Sequence, residues 1–206
     1  MKNLFRLCLP LLLAAFSADS QAAESGVARP RVLLQTELGD IEVELFAKEA
    51  PRTVTNFLAY VRGGFYTDGT FFRSATLENQ PTNNVKIQVV QAEANGIRQK
   101  EFLPPIPLER TRDTGMKHLD GTLSMARATP DSARDSFAIC VGDQPELDFG
   151  GKRNPDGQGF AAFGKVIKGM EIVRKIHTAP AIGQRLTPPV RILRAAILDT
   201  EATSSR

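Results

Sequence analysis

Gly121-Thr122-Leu123-Ser124-Met125-Ala126-Arg127, then Ser136-Phe137-Ala138-Ile139-Cys140-Val141, Pro145-Glu146-Leu147-Asp148-Phe149-Gly150-Gly151 and Gly159-Phe160-Ala161-Ala162-Phe163-Gly164-Lys165-Val166-Ile167 decide the fold. The short apolar runs bounded by glycine, proline or aspartate read as strands. After Gly169, Met170, Val173 and Ile176 fall on one side of a short helix that Pro180 ends. The stretch offers no obvious nucleophile, metal cage or phosphate loop, so any catalysis here works through shape, apolar surface and a cation.

Upstream, Val32 to Thr36 and Ile41-Glu42-Val43-Glu44-Leu45 flank a turn at Leu38-Gly39-Asp40. The alternation predicts a hairpin with Ile41, Val43 and Leu45 facing a core and Glu42 and Glu44 on the exposed face. Pro51 opens a helix whose Val54, Phe57, Leu58 and Val61 share one face, with Gly63-Gly64 behind it. Further strands are expected at 70–73, 85–92, 122–125, 137–141, 161–167 and 190–199. About eight strands and two helices must cover their edges, and a small barrel with helices at its ends does so. The Pro104-Pro105-Ile106-Pro107 run reads as a loop or an edge.

Lys2 and Arg6 precede an apolar run, Leu7 to Phe16, far shorter than the roughly 20 residues of a membrane span. With Ser20-Gln21-Ala22 behind it, residues 1–22 read as a secretory signal cleaved after Ala22. Residues 23–30 read as a disordered lead-in, 31–199 as one domain of ordinary size, and 200–206 as a tail. The expected protein is periplasmic, monomeric and not inserted in the membrane after cleavage. The net charge of +3 is small and the basic residues form no stripe, which argues against nucleic acid as a partner.

Cys140 is the one cysteine beyond the signal and sits in an apolar run, so it reads as a buried hydrophobe. His118 and His177 have no ligand-spaced companions and read as surface or structural residues, with no metal expected. A Gly-x-Ser-x-Gly elbow is absent around Ser124, which argues against serine hydrolysis. The glycine-rich loop 150–159 lacks Walker spacing and reads as a flexible surface loop.

Gly39 to Phe46, Ala50-Pro51-Arg52-Thr53-Val54-Thr55-Asn56-Phe57, Phe71-Phe72-Arg73, Gly121 to Arg127, Ser136 to Cys140 and Ala162 to Ile167, in this order, resemble the cyclophilin-type peptidyl-prolyl isomerases. The resemblance spans about Arg31 to Asp199. It implies a mainly β fold, a closed eight-stranded antiparallel β-barrel capped by two α-helices, and no cofactor. It also implies rotation of X-Pro bonds in unfolded or flexible polypeptides, against an uncatalysed barrier of about 18–20 kcal/mol.

In that family an arginine donates toward the prolyl nitrogen as the amide twists, and Arg73 matches it. A glutamine beside the arginine matches Gln91, with Gln88 as competitor if the register slips. Ala126 and Arg127 fall along the peptide groove, where the family has Ala-Asn, Leu147 matches a leucine on the wall of the proline pocket, and Gln88-Val89 stands where the family has Phe-Met. A charge-assisted hydrogen bond supplies roughly 1.5–3 kcal/mol, whereas a hundred-thousandfold acceleration needs about 6.8 kcal/mol, so an apolar groove must supply the rest.

The departures lie in the pocket. Ser136 stands where the family has glutamine, Ala138 where it has the pocket phenylalanine, and Phe160 where it has histidine. Phe160 is expected to refill part of the space that Ala138 vacates. These changes leave a second reading open, a module that holds proline-containing segments but turns them over slowly.

Overall fold

The computed structural model describes residues 29–198. The expected signal, most of the lead-in and the tail lie outside the described residues. Arg29 and Pro30 are already tied to the domain: Arg29 pairs with Glu44 and Glu49, and Leu45 N–H donates to the Pro30 carbonyl.

Strands β1 (Arg31–Thr36) and β2 (Gly39–Leu45) form the hairpin, followed by helix α1 (Pro51–Arg62), β3 (Gly69–Ala75) and β4 (Val89–Glu93). A one-turn helix α2 (Thr111–Thr114) precedes β5 (Thr122–Met125), β6 (Phe137–Cys140), β7 (Ala161–Lys168), α3 (Met170–His177), β8 (Ala181–Ile182) and β9 (Arg185–Leu198). The sheet runs β1-β2-β7-β5-β6-β4-β3-β9-β8, and β1 also pairs with β9. That pairing closes eight strands into an antiparallel barrel and leaves the two-residue β8 as a flap on β9. Closure removes the long free edges that an open sheet exposes.

The barrel interior takes one residue of each alternating pair: Ile41, Val43 and Leu45 are fully buried, as the hairpin pattern predicts. Phe57 of α1 plugs one end, its ring 5.3–5.4 Å from those of Tyr66, Phe137 and Phe163. Val54, Leu58 and Val61 of the same helix face are buried with it, and Val173 and Ile176 of α3 are likewise buried. Ala50 gives α1 no side-chain cap. The Glu109 carboxylate takes that place, accepting from the N–H groups of Arg52 and Thr53 at 3.0 and 2.8 Å.

Several expectations need correction. Glu42 is only 8% exposed, because Arg31 and Lys168 cover it as ion pairs, and Glu44 is half-buried beside Arg29 and Lys165. The strand expected at 85–92 starts only at Val89. Before it, Gln80 and Gln144 side chains take up the backbone of Ile87 and Gln88, which replaces a ladder. β9 begins at Arg185, ahead of the expected 190, and carries Pro188 and Pro189 within it. Both histidines are buried and hydrogen-bonded, which rejects the surface alternative and agrees with the structural one.

Gly169 shows why one turn admits no side chain. Its φ is +88°, and a Cβ would run into the Asp40 carbonyl oxygen. Gly169→Ala is expected to cost about 3 kcal/mol, measured as a lowered urea midpoint, because the strained backbone and the clash add.

Candidate active site

β3, β4, β6 and β5 lie side by side, and their register sets Arg73, Gln91, Ala138 and Ser124 in one row. The row lies on the outer face of the barrel, opposite the core residues Phe71, Val90, Ile139 and Leu123. By simple alternation Arg73 would point inward with Phe71. A β-bulge between Phe71 and Arg73 shifts the register and sends Arg73 outward.

Outside the barrel, a second apolar cluster of Ala75, Ile87, Val89, Ala138, Cys140 and Leu147 covers this face, with Phe160 packed against it. β6 is therefore buried on both faces, which is why Phe137 to Cys140 is apolar without alternation. Burial pushes the Cys140 thiol well above its ordinary value.

The row and the cluster enclose a trough of about 280 Å³. Of the residues that the sequence singles out, Arg73, Val89, Gln91, Ala126, Arg127, Ala138, Leu147 and Phe160 line it. Ser136 stands behind, linked to the trough through Gln91. Arg73 donates from Nε to Gln184 Oε1 and from Nη1 to Gln91 Oε1, each at 2.8 Å. Gln91 donates to Ser136 Oγ (3.1 Å), which donates to the Ala92 carbonyl (2.8 Å). The geometry joins Gln91, not Gln88, to the arginine. Nη2 of Arg73 has no hydrogen-bond partner among the described residues.

Burial, and secondarily the Arg153 guanidinium, lower the Arg73 pKa below its usual range. Arg127 lies along one wall, its guanidinium carbon 5.0 Å over the Phe160 ring, and donates to both oxygens of Asp156 and to the Gly159 carbonyl. That grip, with the Gln158 N–H, holds the Asp156 carboxyl at about 2. Phe160 thus lies in the cluster that contains Ala138 and outside the barrel core.

Behind the opposite wall, Asp148 Oδ1 accepts from the His118 backbone N–H and, at 2.8 Å, from Nδ1 of its ring, whose Nε2 lies 2.9 Å from Ser124 Oγ. This string ties β5 to the turn that carries Leu147.

Ile87 and Ser124 of the lining escaped the sequence reading, and so did three participants from loops and turns. Gln184 comes from the β8–β9 turn, remote in sequence from Arg73. Arg153 and Asn154 come from the glycine-rich loop, which is pinned by Gly151 N–H to the Asp148 carbonyl and Arg153 N–H to the Glu146 carbonyl. That loop builds a rim of the trough. No local motif announces any of them. A larger groove of about 570 Å³ between α1 and Leu103–Pro107 has Arg52 as the sole ionisable residue of its lining.

The closed barrel holds the Arg73 guanidinium at a trough whose apolar wall is Ile87, Val89, Ala138, Leu147 and Phe160. The family model for cyclophilin-type peptidyl-prolyl cis-trans isomerases matches residues 31–197. A peptidyl-prolyl cis-trans isomerase of Acinetobacter baylyi is 38% identical over 155 residues, 75% of each chain. Peptidyl-prolyl cis-trans isomerase A of Dickeya dadantii is 39% identical over 169 residues, covering 81% of this chain and 78% of the relative. The crystal structure of a cyclophilin-type isomerase of Cryptosporidium parvum superposes with a TM-score of 0.65 at 22% identity, over 82% of this chain and 98% of that one, which supports the fold. A second structure of that protein was determined in the presence of the dipeptide Ala-Pro. The chain belongs to the cyclophilin-type peptidyl-prolyl cis-trans isomerases, and its activity is cis–trans rotation about X-Pro bonds.

Proposed function

We propose that this isomerase acts on proline-containing segments of unfolded or flexible exported chains, in the periplasm, as a monomer without a cofactor, after loss of residues 1–22. Residues 31–199 form the working domain. Arg73 is the catalytic group and Gln91 its partner. The observation that carries this reading is the guanidinium held at Nε and Nη1 by two glutamines, with Nη2 free on a side chain that lines the trough.

The chemistry follows from amide resonance. In the planar ground state the prolyl nitrogen lone pair is delocalised, and as the bond twists the lone pair localises and becomes an acceptor. A donor aimed at that nitrogen is stronger in the twisted state than in either planar state, which is the requirement for catalysis. Val89, Ala138, Leu147 and Phe160 hold the proline ring and exclude water, which strengthens the hydrogen bond. Ala126 and Arg127 border the peptide, and Ser136 fixes Gln91. Neither nucleophile nor metal enters any step.

The test is an X-Pro isomerisation assay on residues 23–206, together with fractionation of cells expressing the full chain. Turnover, with the shortened protein in the periplasmic fraction, is the expected result. A protein that binds proline peptides without turnover would sink the catalytic reading in favour of the holding module. Gln184 gives a separate prediction. Gln184→Met, which keeps the length but loses the acceptor, is expected to lower kcat by about tenfold, while Gln184→Glu, which keeps it, retains most activity. The Arg73 Nε–H resonance in NMR should broaden in the first variant and stay sharp in the second.

A further inference from the structure

Three guanidinium groups line the trough, and two of them, those of Arg73 and Arg153, have no carboxylate partner among the described residues. Arg153 reaches it from the loop after Gly151, donating from Nη1 to Gln80 Oε1 (3.0 Å) and to the Val85 carbonyl (2.8 Å). Both acceptors are neutral, and Nε and Nη2 have no hydrogen-bond partner among the described residues. Arg127 differs, because Asp156 already neutralises it.

No aspartate or glutamate is among the residues lining the trough. The nearby acids are occupied elsewhere: Asp148 with His118 and Lys117, Asp156 with Arg127, and Glu146 with the Lys152 backbone N–H. Two half-buried cations therefore share one concavity without a counter-charge. The cost registers on both, since burial lowers the pKa of each and Arg153 lowers that of Arg73 further. A ligand carboxylate relieves such an arrangement, and a ligand cation worsens it.

We propose that Arg153 is a specificity residue that selects proline segments bearing an aspartate or glutamate beside the proline, the side-chain carboxylate pairing with its free donors. The inference rests on the Arg73 trough being the isomerase site. An arginine fork suits this role because it offers a carboxylate two parallel donors while Nη1 remains anchored. Backbone contacts and the apolar wall accept any proline, so the carboxylate acts as a preference laid over general activity.

The experiment measures kcat/KM by exchange NMR, without a coupling protease, on amidated peptides with Glu, Gln or Lys immediately before proline, and on a second set with the same residues after it. The wild-type enzyme is expected to favour Glu over Lys by about tenfold in at least one set at low salt, shrinking in 0.5 M NaCl, as a partly exposed ion pair must. Arg153→Gln should bring the ratio near one and Arg153→Glu should invert it. The ratio is internal to each protein, so partial unfolding cancels. A wild-type ratio within twofold in both sets overturns the inference, as does a ratio that neither substitution moves. Absence of turnover on every peptide overturns the site reading itself, and the inference with it.

Discussion

Arg73→Ala is expected to lower kcat/KM by at least about a hundredfold, with most of the loss in kcat. In the proposed mechanism the side chain contributes one charge-assisted hydrogen bond that forms fully only when the prolyl nitrogen pyramidalises, so its removal weakens the transition state and spares the planar substrate. The bond alone is worth roughly 1.5–3 kcal/mol, or up to about 150-fold, and a water-excluded site places it at the high end. Arg73→Lys should recover little. An ammonium has three donors, but all on one nitrogen, so it cannot meet Gln184 and Gln91 at the separate places that Nε and Nη1 occupy and still aim a donor from the place of Nη2. The check is single-turnover and steady-state kinetics on one X-Pro peptide, with circular dichroism to confirm folding. An alanine variant within threefold of wild type would remove Arg73 from the mechanism and leave catalysis to the apolar trough.

The residues that made this site legible in sequence are those whose neighbours are local. Ile41, Val43 and Leu45 alternate because one face is buried, and Val54, Phe57, Leu58 and Val61 recur at helical spacing for the same reason. Such periodicity gives element type, and the order of the short motifs gives the family, hence Arg73 and Gln91. Hidden from it was everything that depends on contacts distant along the chain. The bulge at Phe72 reverses the direction of Arg73 through pairing with β4 and β9 at once, and no pattern within Phe71-Phe72-Arg73 encodes it. Gln184 meets Arg73 because barrel closure brings the β8–β9 turn beside β3. β4 starts later than its sequence pattern suggests because Gln80 and Gln144 supply side-chain partners to backbone that otherwise reads as strand. The rim loop looked like an unattached glycine-rich surface segment until the Arg127–Asp156 pair and the Arg153 contacts tied it to the trough.

The substitution of the trough's hidden support, Asp148→Ala, is expected to destabilise the fold by about 3 kcal/mol and lower Tm by about 6–12 °C. Asp148 is 7% exposed and His118 1% exposed, and the carboxylate accepts from both the ring and the backbone N–H of His118. Without it, two buried donors lose their acceptor, and the ring that holds Ser124 loses its orientation. Burial pushes the Asp148 carboxyl up, but the hydrogen bond from the His118 ring, the field of that ring, the His118 N–H and Lys117 together outweigh it, so the group sits below the usual carboxylate range. A depressed folded-state pKa contributes stability that is fully present above the unfolded value, about 3.9, and is lost as pH falls through the folded one. Wild type should therefore lose stability more steeply than Asp148→Ala below about pH 4, and the gap between their urea midpoints should narrow there while remaining wide at neutral pH. Ser124→Ala, which leaves the Asp148–His118 contact intact, should cost only about 1 kcal/mol. Equal losses in the two variants, or a gap that stays constant with pH, would show that Asp148 acts through packing alone. Because Leu147 adjoins Asp148 and lines the trough, loss of the string should also raise KM for X-Pro peptides at temperatures where the variant is still folded.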